Sequence, residues 1–242
     1  MNIIINGAGG RMGRALRTMI EKKGAQAAAL VDPFVKEAGM LETLAEFAGA
    51  ADCIIDFSNH SGTDALLAYA LEKKLPVVIC TTGHTIQELA AIQEAAKQIP
   101  IFRSGNMSLG IAVLTRLVKD AAKMFPDADI EIVESHHNQK LDVPSGTALM
   151  LAHSVQAVRQ DATLLVGRHE NGKRTPQEVG IHSLRMGNTV GIHEVIINTG
   201  TQILTLKHEA QDRSLFAEGA LAAAEFMRDK PAGLYNMDDI VG

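Results

Sequence analysis

Cysteine is scarce: the 242 residues contain two, Cys53 and Cys80. Both sit in apolar, strand-like runs. That excludes a disulfide framework and suits small core residues in a reducing compartment, so a cytoplasmic location is expected. No apolar run approaches the ~20 residues that cross a bilayer, so no membrane partner is expected. The start of the chain shows no basic flank, apolar stretch and cleavage site, so no signal peptide is expected. Basic residues are in the minority, 23 against 28 acidic, and the resulting net charge of −5 argues against a nucleic-acid partner. Seven of the nine histidines lie between 136 and 208, but no H-x-x-x-H or C-x-x-C spacing accompanies them, so no metal site is expected. There is no internal repeat and no low-complexity tract.

What is present is an ordinary globular composition, 46% hydrophobic and 21% charged, in a chain long enough for one or two domains. Its N-terminus carries a first motif. Asn2-Ile3-Ile4-Ile5-Asn6 is a short apolar run. Gly7-Ala8-Gly9-Gly10-Arg11-Met12-Gly13 follows, and Met12, Leu16, Met19 and Ile20 then recur at helical spacing. Gly7, Gly9 and Gly13 fall one position from G-x-G-x-x-G, with Gly10 as an alternative register. Glycines between a strand and a helix let the backbone approach a pyrophosphate, and the helix N-terminus favours its charge. The apolar run 27–31 ends at Asp32, where a carboxylate that binds a ribose belongs. These residues point to a Rossmann-type dinucleotide site. Asp32 repels a 2′-phosphate and Pro33 offers no guanidinium, so NADH is favoured. Arg11 and Lys36 keep NADPH open.

Strand and helix alternate through the first hundred residues. The pattern predicts a helix near 41–48, a strand at 52–58, a helix at 61–74 and a strand at 76–81. A capping box, Thr85-Ile86-Gln87-Glu88, opens a helix at 86–98, and a strand follows at 99–104. Such alternation implies a parallel sheet with helices on both faces. Polar clusters end three strands: Phe57-Ser58-Asn59, Cys80-Thr81-Thr82-Gly83 and Ser104-Gly105-Asn106. Ligands bind at such carboxyl ends.

Beyond 106 the pattern changes. A helix at 108–125, a strand at 130–135 and a helix at 145–159 come first. Strands at 181–186, 191–198 and 202–209, joined by short turns, read as an antiparallel set. The polar segment 167–180 reads as a long mobile loop. A helix at 214–229 carries Phe216, Ala220, Leu221 and Ala224 on its apolar face. The expected fold class is α/β: an N-terminal Rossmann-type parallel-sheet dinucleotide-binding domain plus an α+β substrate and oligomerisation domain with an open mixed sheet. Residues 1–106 and 214–242 are expected to form the first, and 107–213 the second. Two crossings, near Asn106 and Arg213, would suit hinge closure. The strands within 181–209 alternate apolar and polar with few helices left to cover both faces, so burial against other subunits in a tetramer is expected.

The densest chemistry lies in Glu134-Ser135-His136-His137-Asn138-Gln139-Lys140-Leu141-Asp142-Val143-Pro144-Ser145-Gly146-Thr147. Lys140 can attract a carboxylate and donate a proton, and His136 can act as an acid near neutral pH. Ser145-Gly146-Thr147 reads as a helix start whose N–H groups can hold an anion, with Ser145 also able to cap.

Taken together, these motifs resemble the 4-hydroxy-tetrahydrodipicolinate (dihydrodipicolinate) reductase family of diaminopimelate and lysine biosynthesis. The resemblance covers the whole chain, including Arg185-x-Gly187-x-x-x-Gly191-x-His193 and Gly233-x-Tyr235-x-Met237-x-Asp239. It implies NAD(P)H-dependent reduction of a small cyclic dicarboxylate. His136 and Lys140 match its proton-handling positions, and His137, Gly146 and Thr147 its substrate-binding positions. Gly7, Ala8, Gly9, Gly10, Arg11, Met12, Asp32, Cys80, Thr81, Thr82, Ser104, Gly105, Asn106 and Met107 match its cofactor-binding positions. The family is commonly a homotetramer joined through the sheet of the substrate domain. Val143, Met107 and Pro33 depart from its usual alanine, phenylalanine and basic residue. Two alternatives stay open: a reductase of another amino or keto acid, and a dinucleotide-sensing protein without turnover. Steady-state NADH oxidation separates them.

Overall fold

The computed structural model describes all 242 residues. The chain divides into two compact units, Met1–Ser108 with Arg213–Ile240, and Leu109–Asp212. The first unit begins β1 (Asn2–Asn6), α1 (Arg11–Lys22), β2 (Gln26–Val31), β3 (Met40–Leu41), β4 (Cys53–Asp56), α2 (Thr63–Lys73), β5 (Val77–Ile79), α3 (Ile86–Ala95) and β6 (Pro100–Arg103). The second contains α4 (Leu109–Met124), β7 (Asp129–His136), α5 (Gly146–Gln156), β8 (Thr163–Val166), β9 (Glu178–Arg185), β10 (Gly191–Asn198) and β11 (Ile203–Ala210). α6 (Ser214–Phe226), β12 (Gly233–Tyr235) and the short α7 (Met237–Val241) close the chain.

In the first unit seven strands lie in the order β12-β6-β5-β4-β1-β2-β3, and every pairing is parallel. Ile3, Ile4 and Ile5 are all fully buried, because successive side chains of a central parallel strand point to opposite, helix-covered faces. Gly13, Leu16 and Ile20 form the buried stripe of α1. α6 offers mainly small residues to the interior, Ala217, Gly219, Ala220, Ala223 and Ala224. Gly219 sits against the Met107 carbonyl, closer than any side chain would permit.

One expectation here needs correction. The helix expected at 41–48 is the two-residue strand β3 followed by a single 3-10 turn, Leu44–Glu46. A Thr43–Glu46 capping box starts that turn, but Phe47 returns to extended backbone and the helix does not propagate. The C-terminal tail adds β12 beside β6, an edge strand too short to read by periodicity.

The second unit holds a five-stranded sheet in the order β11-β10-β7-β9-β8. The antiparallel set expected over 181–209 is only partly formed. β10 is antiparallel to β11 and β7, whereas β9 runs parallel to β7 and β8. The short connection from β9 to β10 looks like a hairpin but crosses the end of β7, which lies between them. The Met186 N–H donates to the His136 carbonyl and the Asn138 N–H to the Gly187 carbonyl. The stretch read as a mobile loop is preceded by the unanticipated β8 and gives way to β9 at Glu178. Arg174 ties it to Asp129 and Glu131, and Arg168 to Glu178. One face of the sheet packs Ile130, Ile132, Val179, Ile181, Val195 and Ile197 against α4 and α5. On the other face Val133, Ile192 and Ile196 are half-buried and Leu184 is exposed. No helix of the chain is long and apolar enough to cross a membrane.

Candidate active site

Strand order in the first unit reverses between β1 and β4, the kind of switch point where such sheets bind ligands. β1 runs into Gly7, whose φ of 81° favours glycine. A Cβ on Gly7 would lie 2.5 Å from the Phe57 carbonyl oxygen, and one on Gly13 2.2 Å from the Gly7 oxygen. The turn and the seating of α1 therefore both require glycine. Gly10 caps α1 without a side chain, so no cap occupies the N–H groups of Arg11, Met12 and Gly13 at its positive end.

Asp32 is buried at the end of β2 and partly engaged already. Its Oδ1 accepts from the N–H groups of Phe34 (2.9 Å) and Val35 (3.2 Å), and its Oδ2 from Gly9 (3.0 Å). With one partner, Oδ2 keeps a lone pair for a ribose hydroxyl. Beside it lies a cleft of about 760 Å³ whose lining includes Asn6, Gly7, Gly10, Asp32, Thr43 and Ser58. That volume, the uncapped helix and the carboxylate suit the adenosine and phosphate portion of a dinucleotide.

Asp56, at the end of β4, belongs to no motif legible in the sequence. It accepts from Asn6 Nδ2 (2.8 Å), Ser58 Oγ (2.6 Å) and Thr81 Oγ1 (2.6 Å), tying three strand ends together. The Thr81 hydroxyl is thus committed to the scaffold. Met107 is also buried. Thr82 and Gly105 are exposed, Cys80 is half-buried, and Ser104 Oγ donates to the Asn106 carbonyl (2.7 Å).

In the second unit alternation along β7 places Ile130, Ile132, Glu134 and His136 on one face. The register brings Arg185 of β9 opposite His136, and His193 of β10 opposite Glu134. The hydrophobic layer therefore ends in a polar cluster at the carboxyl end of β7. α5 starts beside it. Ser145 caps α5 by accepting from the Ala148 N–H (3.2 Å), its own N–H donates to Glu134 Oε1 (3.1 Å), and its Oγ lies 3.1 Å from His193 Nε2. The space a Cβ would enter at Gly146 is open, so an anion can approach the backbone there. Lys140 Nζ pairs with Asp142 Oδ1 at 2.8 Å, and His137 is half-buried one residue beyond β7.

Glu134 is fully buried. Burial alone would raise its pKa, but the Arg185 guanidinium first, then the Ser183 hydroxyl, the His136 ring and the Ser145 N–H, bring it down to about 2. Burial outweighs the Glu134 carboxylate at His136 and pushes that ring below its ordinary value, with Lys140 and Arg185 adding to the effect. That shift favours the neutral ring at neutral pH. Burial drives His193 further down, to about 4. His136 and His193 meet edge to face at 5.1 Å. The structure brings together His136, Lys140 and the α5 start on one unit, and Gly7, Gly9, Gly10 and Asp32 on the other. Sequence alone does not reveal the parts played by Glu134, Arg185 and His193. The one available signal was the two-residue spacing of Glu134 and His136, which puts both on the same face.

A doubly wound parallel sheet with a glycine turn, joined to a unit carrying a histidine–lysine–carboxylate cluster, defines a dinucleotide-dependent oxidoreductase. A family model described as dihydrodipicolinate reductase, N-terminus, matches residues 1–107, and its C-terminus counterpart matches 110–241. The chain belongs to the dihydrodipicolinate reductase family. It is 41% identical over 245 residues to a 4-hydroxy-tetrahydrodipicolinate reductase of Clostridium novyi, covering 99% of this chain and 97% of the relative. It is 44% identical over 246 residues to one of Caldanaerobacter subterraneus subsp. tengcongensis, covering 100% and 98%. A dipicolinate-bound dihydrodipicolinate reductase from Paenisporosarcina sp. TG-14 shares the fold, with a TM-score of 0.84, 23% identity and 99% of each chain covered.

Proposed function

We propose that the chain carries out the reaction its relatives are named for in diaminopimelate and lysine biosynthesis: 4-hydroxy-tetrahydrodipicolinate loses its hydroxyl as water to give dihydrodipicolinate, which NAD(P)H reduces to tetrahydrodipicolinate. The observation that carries this reading is the cluster of His136, Lys140 and the open α5 start, in a chain that matches the family from end to end. The cofactor supplies a hydride. The Lys140 ammonium attracts a substrate carboxylate and donates the proton that balances the added hydride. His136 accepts and returns protons as a neutral ring. Gly146 and Thr147 hold the second carboxylate through the positive end of α5, and His137 adds a polar contact. Dipicolinate, present in the Paenisporosarcina relative, is a cyclic dicarboxylate of the kind these groups suit. The test is oxidation of NADH or NADPH by the purified protein with substrate freshly made by the preceding synthase. Absence of turnover with both cofactors would refute the reading.

In the same reading residues 1–106 and 214–242 hold the cofactor, and 107–213 the substrate. NADH should serve at least as well as NADPH. The cleft beside Asp32 is lined by Asp32, Glu42 and Glu72 and by no basic side chain. Lys36 is paired with Glu42, and Arg17 with Glu37. A 2′-phosphate beside Asp32 would face a carboxylate in a cleft with no basic side chain in its lining. The measurement is kcat/KM for both cofactors. A preference for NADPH above about tenfold, roughly 1.4 kcal/mol of transition-state binding, contradicts this assignment and turns attention to Arg11.

The protein should also be a cytoplasmic homotetramer. The face of the five-stranded sheet away from α4 and α5 carries half-buried Val133, Ile192 and Ile196 beside exposed Leu184, a mixed surface suited to a second sheet. Light scattering at micromolar concentration should give about four times the 25.9 kDa chain mass. A monomer mass would remove the sheet from consideration as an interface.

A further inference from the structure

Glu134 reaches no solvent, yet it lies in the layer that elsewhere holds isoleucine and valine. Its two oxygens take four contacts. Arg185 donates from Nη1 to Oε2 (2.9 Å) and from Nη2 to Oε1 (2.8 Å). The Ser145 N–H donates to Oε1, and His136 Nδ1 lies 2.5 Å from Oε2. An ionised carboxylate only accepts, so at that distance Nδ1 must carry the proton. A neutral His136 then has its lone pair on Nε2.

Two further observations concern the same atom and the same loop. Arg185 Nη2 also donates to the Asp142 carbonyl (2.6 Å). One ion pair thus fixes His136 at the start of the 137–144 loop, and Asp142 and Ser145 at its end, with Lys140 between. Gly191 is not in the left-handed region, so its backbone does not call for glycine. A Cβ there would stand 3.1 Å from His136 Nε2. The missing side chain leaves room beside Nε2.

We propose that Glu134 and Arg185 are positioning residues: their ion pair holds His136 as the Nδ1–H tautomer, presents Nε2 as its proton-exchanging atom, and anchors both ends of the Lys140 loop. The proposal rests on the reduction argued above for the role of Nε2, but not for the tautomer. Gly191 completes the arrangement by keeping the flank of Nε2 open.

The first measurement needs neither a variant of the pair nor turnover. Nitrogen-15 NMR of the full-length protein labelled at histidine, with His136→Gln identifying the resonance, should show protonated Nδ1 and unprotonated Nε2 above neutral pH. An Nε2–H tautomer overturns the proposal, whatever the enzyme's activity. The second is kinetic. Glu134→Gln should lower kcat about 10²-fold or more, the order seen when a histidine loses its orienting carboxylate, with KM for NADH unchanged. The groups facing His136 are Glu134 on β7, Lys140 on its loop, Arg185 on β9 and His193 on β10. Loss of the Glu134 charge should move the His136 limb of the kcat/KM profile to lower pH. Arg185→Lys keeps a cation but loses the fork, and should recover part of the activity that Arg185→Ala loses. Gly191→Ala leaves the ion pair intact and should lower kcat by crowding Nε2, so it covers the case in which Glu134→Gln fails to fold. Unchanged kcat in both Gly191→Ala and a folded Glu134→Gln makes the cluster structural only. Inactive wild type with the Nδ1–H tautomer refutes the proposed reaction while leaving the positioning intact.

Discussion

Lys140→Ala and His136→Ala are each expected to lower kcat by about 10²- to 10⁴-fold, the usual cost of losing a general acid or base. The two should differ in their other parameters. Lys140 carries charge as well as a proton, and in the resting protein its ammonium is held by Asp142 at 2.8 Å. Its removal should raise KM for the dicarboxylate together with the fall in kcat. His136 is mainly neutral and pairs with Glu134, so its loss should act on kcat and leave substrate KM nearly unchanged. NADH binding, read by titration, should hardly change in either variant, because the glycine turn and Asp32 belong to the other compact unit. Near-normal turnover of Lys140→Ala would make the 134–147 motif structural. Collapse of NADH binding would assign the loop to the cofactor instead.

Local sequence carried much of this architecture. The β1–glycine–α1 passage is legible because each signal is short-range: three buried isoleucines, a glycine with φ of 81°, and a helix stripe at Gly13, Leu16 and Ile20. The Thr85–Glu88 capping box forms in full and starts α3. The same signal at Thr43–Glu46 gives a single turn, because a cap marks a start and the following residues decide the length. Strand neighbours were less legible. A short polar turn between two strand-like runs predicts a hairpin, but nothing local reports that β7 lies between β9 and β10. The polar cluster shares that limit. Glu134 and Arg185 stand 51 residues apart and meet only because β7 and β9 pair in parallel with His136 opposite Arg185. Asp56 likewise joins Asn6 and Thr81 across 50 and 25 residues. Sequence identifies such side chains as chemically able, and sheet register decides which of them touch.

Acidification should destabilise the fold well above the usual carboxylate range, with His193 as a main cause. Burial holds its folded-state pKa at about 4 against an ordinary 6.5. Between those values the unfolded chain binds a proton that the folded chain does not, so stability falls as pH falls through that window. The contribution is complete above pH 6.5 and is gone below about 4, and a shift of this size corresponds to about 3 kcal/mol. A cation at His193 would also stand against the positive end of α5, through its contact with the Ser145 cap. Glu134 acts lower on the scale. Its depressed value near 2 gives stability that is present above its ordinary 4.5 and is lost as pH falls through 2. The two groups should therefore appear as separate segments of one curve. His193→Gln keeps an acceptor for the Ser145 hydroxyl and removes the titration. Urea unfolding of both proteins at equal concentration, from neutral pH down to pH 4, provides the comparison. The variant starts less stable, having lost packing, but its stability should decline less, by about 3 kcal/mol over the window. Parallel curves would mean that His193 is protonated in the folded protein or that its neighbourhood opens before it titrates. Either outcome would remove the neutral ring from the account of how Ser145 is held at the start of α5.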